Sequence, residues 1–159
     1  MSKHFTLSKV KVLDGLQLAL IYADGEAFTV DLASIVKRHK TLALLRDASV
    51  FKKPKITDGG QTLTWAGNDD LQLAADNLRA RAIEQAGGVS HEFIWHWMDK
   101  HQLTLDLAAK HLGLSRRMLA YYRSGEKPVP LTVGLACLGW EMVQAQAGAA
   151  NDGLFAIAG

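Results

Sequence analysis

The side chains best suited to bind a partner lie close together in this sequence. Between Gly113 and Lys127, four cations, Arg116, Arg117, Arg123 and Lys127, stand against one acid, Glu126, a local excess of three positive charges. On a helix running from about Arg116 to Arg123, the residues Arg116, Arg117, Ala120, Tyr121 and Ser124 share one face, and Met118, Leu119 and Tyr122 share the other. A guanidinium pair at the start of such a helix suits guanine, whose O6 and N7 accept a bidentate donor in the major groove. Tyr121 can stack on or hydrogen-bond to the backbone or a base edge, and Arg123 and Lys127 can reach phosphates. This chemistry points to double-stranded DNA as the partner.

The flanking elements are those needed to aim that face. Thr104 can cap a helix in which Leu105, Ala108, Ala109 and Leu112 form one stripe, with alanines where another helix must approach closely. Gly113 permits the left-handed conformation that reverses the chain, and Ser115 is placed to cap the next helix. Two short helices joined by a glycine turn read as a helix-turn-helix. Thr104 and Ser115, at the two helix starts, complete the candidate DNA-contacting set. A preceding helix over 91–101, capped by Ser90, carries Ile94, Trp97, Met98 and His101 on one stripe. A following helix begins after Pro128 and Pro130 and carries Leu131, Leu135, Leu138 and Met142 as its core-facing stripe. Trp95, Trp97 and Trp140 read as core or domain-interface residues.

Leu103-Thr104, Ala109, Leu112-Gly113-Leu114-Ser115, Leu119 and Ser124-Gly125 carry a resemblance. The segment from Leu103 to Pro130 resembles the lambda-repressor/Cro-like helix-turn-helix family, in its xenobiotic-response-element subgroup. The resemblance implies a sequence-specific DNA-binding transcriptional regulator, with base contacts from the residues just after the serine, here Arg116, Arg117 and Tyr121. Leu105 departs from the family, where many members carry a polar phosphate contact, so that role is not extended to it. The N-terminal half, with its hairpin, its Phe51 strand and Thr64-Trp65 followed by Gly67-Asn68-Asp69-Asp70, is similar to a small bacterial domain of unknown function sometimes fused to such a helix-turn-helix.

That first half alternates where the second is helical. Leu16, Leu18, Leu20 and Tyr22 recur with period two and Ala19 and Ile21 occupy the opposite face, which predicts a strand buried on both sides or nearly so. Asp24-Gly25 predicts a two-residue type I′ turn, with Phe28 and Val30 on the returning strand. In the first strand, apolar positions slip from Phe5 and Leu7 to Val10 and Val12, which predicts a bulge at Ser8 and Lys9. Asp31 caps a short helix to about Lys37. Strands at Phe51 to Thr57 and Gln61 to Ala66 flank the Asp58-Gly59-Gly60 turn, with Pro54 marking an edge strand. Gly67 to Asp70 closes the sheet, and residues 74–86 form a helix ending at Gly87-Gly88. The fold class is therefore a small antiparallel α+β domain at 1–87 followed by an all-α, lambda-repressor-like helix-turn-helix domain at 88–159.

Composition sets the outer bounds. The 159 residues are 48% hydrophobic and 21% charged, with three prolines, which excludes disorder and collagen. The net charge of +2 licenses no partner by itself, and residues 88–159 balance at six basic and six acidic. The single cysteine, Cys137, lies in an apolar stretch, which fits a buried thiol in a reducing cytoplasm. His91, His96, His101 and His111 are spaced so that no two share a helical face as metal ligands would, so no metal or other cofactor is expected. Asp58, Asp69 and Asp70 read as turn-forming side chains. Without a Gly-rich phosphate loop, nucleophile elbow or paired-cysteine motif, enzymatic activity has no positive support. No apolar run suits a membrane. One recognition helix reads few base pairs, so a homodimer is expected. The alternative is an antitoxin-like or adaptor module whose α+β domain binds a protein or small-molecule partner. The basic runs Lys37-Arg38-His39-Lys40 and Lys52-Lys53-Pro54-Lys55 read as solvated edges.

Overall fold

The computed structural model describes residues 2–65 and 68–147. The chain divides into two compact units, Met1–Gly87 and Gly88–Gly159.

The first unit carries two antiparallel three-stranded sheets. β1 (Leu7–Val12), β2 (Gln17–Tyr22) and β3 (Ala27–Asp31) pair in the order β1-β2-β3. The register of β1 against β2 shifts between Leu7 and Lys9, the bulge that the slipped alternation requires. The expectation that β2 is buried on both faces is corrected: Leu18, Leu20 and Tyr22 point into the core, whereas Ile21 is exposed. An antiparallel sheet needs only one packed face, so apolar residues on the other do not make it an interior strand.

The hairpin is also corrected. Gly25 N–H donates to the Tyr22 carbonyl (2.9 Å) and Tyr22 N–H to that of Glu26 (3.0 Å), and Gly25, not Asp24, has the positive φ. This is a three-residue loop with a glycine bulge, not the two-residue type I′ turn. Asp24 instead turns its carboxylate to the Glu26 N–H (3.0 Å).

Helix α1 (Ala33–Arg38) follows β3, and Asp31 accepts from the Ala33 N–H at 2.8 Å, one residue earlier than a standard cap. A 3-10 stretch (Lys40–Arg46) leads to α2 (Ala48–Phe51), a single turn capped by Asp47 through the Ser49 N–H. Phe51 therefore ends a helix rather than opening a strand, because the Asp47 cap starts a turn that the apolar pattern hides. The second sheet is β4 (Pro54–Thr57), β5 (Thr62–Trp65) and β6 (Asn68–Ala74), in that order, with Pro54 on an edge strand as expected. Asn68, Asp69 and Asp70 thus open a strand instead of closing the sheet. Ala66 and Gly67 lie outside the described residues. Asp58, Gly59 and Gly60 all take positive φ between β4 and β5, and a Cβ on Gly60 would sit 2.7 Å from the Leu7 carbonyl oxygen.

Helix α3 (Ala75–Gln85) closes this unit with Ala75, Leu78 and Ala82 inward. One core unites Leu18, Leu20, Tyr22, Val30, Leu63, Trp65 and Leu78. Its polar tips are satisfied: Tyr22 Oη–H donates to the Ala75 carbonyl (2.7 Å) and Trp65 Nε1–H to that of Phe51 (2.9 Å). Burial pushes the Tyr22 hydroxyl well above its usual range, so it remains a donor.

The second unit is helical: α4 (His91–Lys100), α5 (Leu105–Leu112), α6 (Arg116–Ser124) and α7 (Leu131–Ala147). Ile94, Trp97, Met98, Ala108, Ala109, Leu119, Val133 and Cys137 form its core. Trp97 belongs to that core and Trp140 packs on it, but Trp95 is exposed. The stripe read as core-facing on α7 is corrected: Leu131, Leu135, Leu138 and Met142 are exposed, and Val133, Gly134 and Cys137 are buried instead. Gly134 fixes this rotation, since a Cβ there would meet Val89 Cγ2 at 2.5 Å, and Val89 is bridged to Val129 just ahead of α7. Burial pushes the Cys137 thiol up to about 12. The small-residue stretch Ala145 to Ala150 runs past the described residues, which end at 147. Among the described residues no helix is long and apolar enough to cross a membrane.

Candidate nucleic-acid interface

Local chemistry explains how α5 and α6 are set. Thr104 Oγ1 accepts from the Leu107 N–H (3.2 Å), which starts α5 one turn after α4 has ended. At the other end, Gly113 adopts φ 69°, its N–H donating to the Lys110 carbonyl and the Leu114 N–H to that of Ala109 (2.9 Å). These two bonds satisfy carbonyls that the helix end would otherwise leave open, and they turn the chain sharply. Ser115 Oγ then accepts from the Met118 N–H (3.1 Å) and starts α6. Leu119, fully buried, packs α6 into the core beside Ala108 and Ala109, whose small side chains let the two helices approach. Gly125, at φ 76°, ends α6. A core anchor, two caps and two glycine stops thus fix which side of α6 meets solvent.

That side carries the charge. Arg116 and Arg117 are exposed at the start of α6, with Tyr121 one turn on and Lys127 just past its end. Arg117 Nε–H donates to Tyr121 Oη at 2.8 Å, and its guanidinium also lies over the Tyr121 ring. The Lys127 ammonium stands 4.7 Å from the centroid of the same ring. Tyr121 is therefore a platform between two cations, a cation–π arrangement that limits how both can point. The bond to the Tyr121 hydroxyl holds the Arg117 proton still more firmly than usual.

Arg116 has a different neighbour, the Asp106 carboxylate at 3.5 Å. Both side chains are largely exposed, so the pair is weak. Asp106 joins the site from the first turn of α5, which the Gly113 turn brings back beside Arg116; that place in the preceding helix is its signal in the sequence. Arg123 is half-buried, in the last turn of α6. Thr104 and Ser115 are exposed, but their oxygens already accept from their own helices. The structure brings Arg116, Arg117, Tyr121 and Lys127 together; Thr104 stands apart at the start of α5.

Behind this face, Glu141 of α7 accepts from His101 Nε2 (2.7 Å) and Lys100 Nζ (3.1 Å), tying α4 to α7. Those bonds hold the Glu141 carboxyl below its usual range. His101, His111 and Trp97 surround Trp140 edge to face or tilted. The histidines thus pack against indoles, and among the described residues no three His, Cys, Asp or Glu gather as a metal site would need.

Residues 7–84 match the family model described as protein of unknown function, DUF2442. The chain is similar to a solved crystal structure, that of "Putative DNA Binding Protein NE0471 from Nitrosomonas europaea ATCC 19718", at 37% identity and a TM-score of 0.79, over 91% of this chain and 92% of that one. The chain belongs to the family of that protein. Its first unit is a DUF2442 domain, and the likeness to the Nitrosomonas protein extends past that domain into the helical unit. No curated protein matches the chain.

Proposed function

We propose that the helical unit binds double-stranded DNA as a lambda-repressor-like helix-turn-helix, with α5 and α6 as its two helices, and that the protein acts as a transcriptional regulator. The observation that carries this reading is the solvent face of α6. Arg116 and Arg117 open it, Tyr121 orients Arg117, and no acid lies on α6 itself. A helix entering the major groove by its N-terminal end would present those guanidiniums to base edges, while Lys127, Arg123 and the exposed starts of α5 and α6 at Thr104 and Ser115 would lie toward the backbone. The likeness to the Nitrosomonas protein supports the same reading, since that relative is named a "Putative DNA Binding Protein". The DUF2442 domain is free, on this reading, to receive a protein or small-molecule partner that controls the helical unit.

Selection of bound duplexes from a random pool tests the proposal. The wild-type chain is expected to enrich one motif, as two half-sites if it binds as a homodimer, and the Arg116→Ala/Arg117→Ala variant to enrich none. Affinity should fall with salt at a slope of about −0.9 per phosphate neutralised. Absence of any retention on duplex DNA at low salt would overturn the reading and favour an antitoxin-like or adaptor role.

A further inference from the structure

The face of α7 turned away from the core is apolar along its length. Leu131 is 59% exposed, Leu135 57%, Leu138 48% and Met142 65%. Their spacing is four, three and four residues, the repeat of a coiled-coil seam rather than of a helix lying on a mixed core. Over eleven residues the stripe runs about 16 Å. Isolated exposed leucines need no explanation, but a contiguous row of four on the longest helix of the unit marks a contact surface.

We propose that this stripe is where two copies of the chain associate, α7 against α7. Three observations select a second copy as the occupant. A seam of this repeat fits a helix carrying the same repeat, and an isologous contact supplies that helix automatically. Glu141 is the one charged residue of α7, and it is turned to His101 and Lys100 on its own unit. Pairing two such faces therefore brings no like charges together, a condition that most helix surfaces fail. Lastly, the two interior glycines of α7 differ. Gly134 is required by Val89, whereas a Cβ on Gly139 would meet nothing within 4 Å. Glycine weakens a helix interior, and Gly139 has no packing reason inside the protomer. Beside Leu135 and Leu138 it leaves room for the backbone of a partner helix to come close.

The interface would be small, of the size that weak reversible complexes bury. The assignment shares with the DNA reading only the expectation of a two-fold partner, so its test is run without DNA and the two can fail separately. Sedimentation velocity on the full chain, from low micromolar to several hundred micromolar, should show mass rising from one chain to two. Leu135→Glu/Leu138→Glu should sediment as one chain throughout, with the thermal transition of the helical unit unchanged. Should two glutamates disturb the fold, Leu135→Gln should still raise the midpoint concentration at least tenfold. A wild-type chain that stays single at the highest concentration overturns the proposal, whether its own residues or another protein cover the stripe. So does a variant with native melting that dimerises like the wild type.

Discussion

Arg79 and Arg117 each lie against a tyrosine, and the two regions use that pairing in opposite ways. In the first unit Arg79 reaches across from α3, donates to the His4 carbonyl (2.7 Å) and to Asp24 (2.8 Å), and stacks over both Tyr22 and Phe28. These contacts leave the guanidinium only 12% exposed. In the second unit Arg117 touches Tyr121 and otherwise faces water. The first tyrosine holds an arginine whose donors are spent inside the fold; the second holds one whose remaining donors face water. A cation near a carboxylate or a ring is thus no sign of function by itself, and what separates the two is how much bonding capacity remains.

Three substitutions test this contrast directly. The largest effect should come from Arg79→Ala, which removes the guanidinium bonds to Asp24 Oδ2 and to the His4 carbonyl. Loss of about 2–3 kcal/mol from the first unit is expected in chemical denaturation, with DNA affinity at the helical unit unchanged. Equal damage to DNA binding would mean that Arg79 is not purely structural. Next, Arg117→Ala should cost about 1–3 kcal/mol of affinity for the selected site and relax preference at one base position, while melting moves by less than about 0.5 kcal/mol. A uniform loss on every sequence would make Arg117 a phosphate contact. Tyr121→Phe, which keeps the ring and removes the acceptor, should show a smaller loss of the same kind.

The smallest effect concerns pH. The depressed Glu141 carboxyl contributes stability that is present above the unfolded-state value, near ~4.3, and is lost as pH falls through the lower folded value. Acid titration of the helical unit should therefore steepen below that range, and Glu141→Gln should flatten it. Asp24 acts with the same sign in the first unit: burial pushes it up, but the Glu26 N–H and Arg79 outweigh this and hold it low. An acid transition identical in wild type and Glu141→Gln would show that the ties to His101 and Lys100 carry no stability.

How far the sequence was readable depended on how local the signal was. Ser90, Thr104 and Ser115 each cap the helix assigned to them, and Gly113 takes its left-handed turn, because a cap needs only its own few residues. The bulge at Ser8 and Lys9 was visible because a face flip has no other cheap solution. Failures came where the deciding contact is distant. α7 carries apolar residues on two sides, and the choice between them rests on Val89, more than forty residues earlier in the chain. β6 opens with Asn68-Asp69-Asp70, poor strand formers that read as a turn; Asn68 pairs with Trp65 of β5 and accepts from the Asp70 N–H at 2.9 Å, and the register slips before Gln72 meets Thr64. Asp106 beside Arg116 was hidden for the same reason: a turn must close before the two meet.

Cys137 sits on the buried side of α7, opposite the leucine stripe, and it is the one sulfhydryl in the chain. Its protonated, enclosed state makes it a built-in clock for a single event. Reagent that labels a thiolate can reach it only when the helical unit opens, so the labelling rate reports that opening. Because the stripe faces the other way, separating two copies would not itself uncover this thiol, and unfolding would.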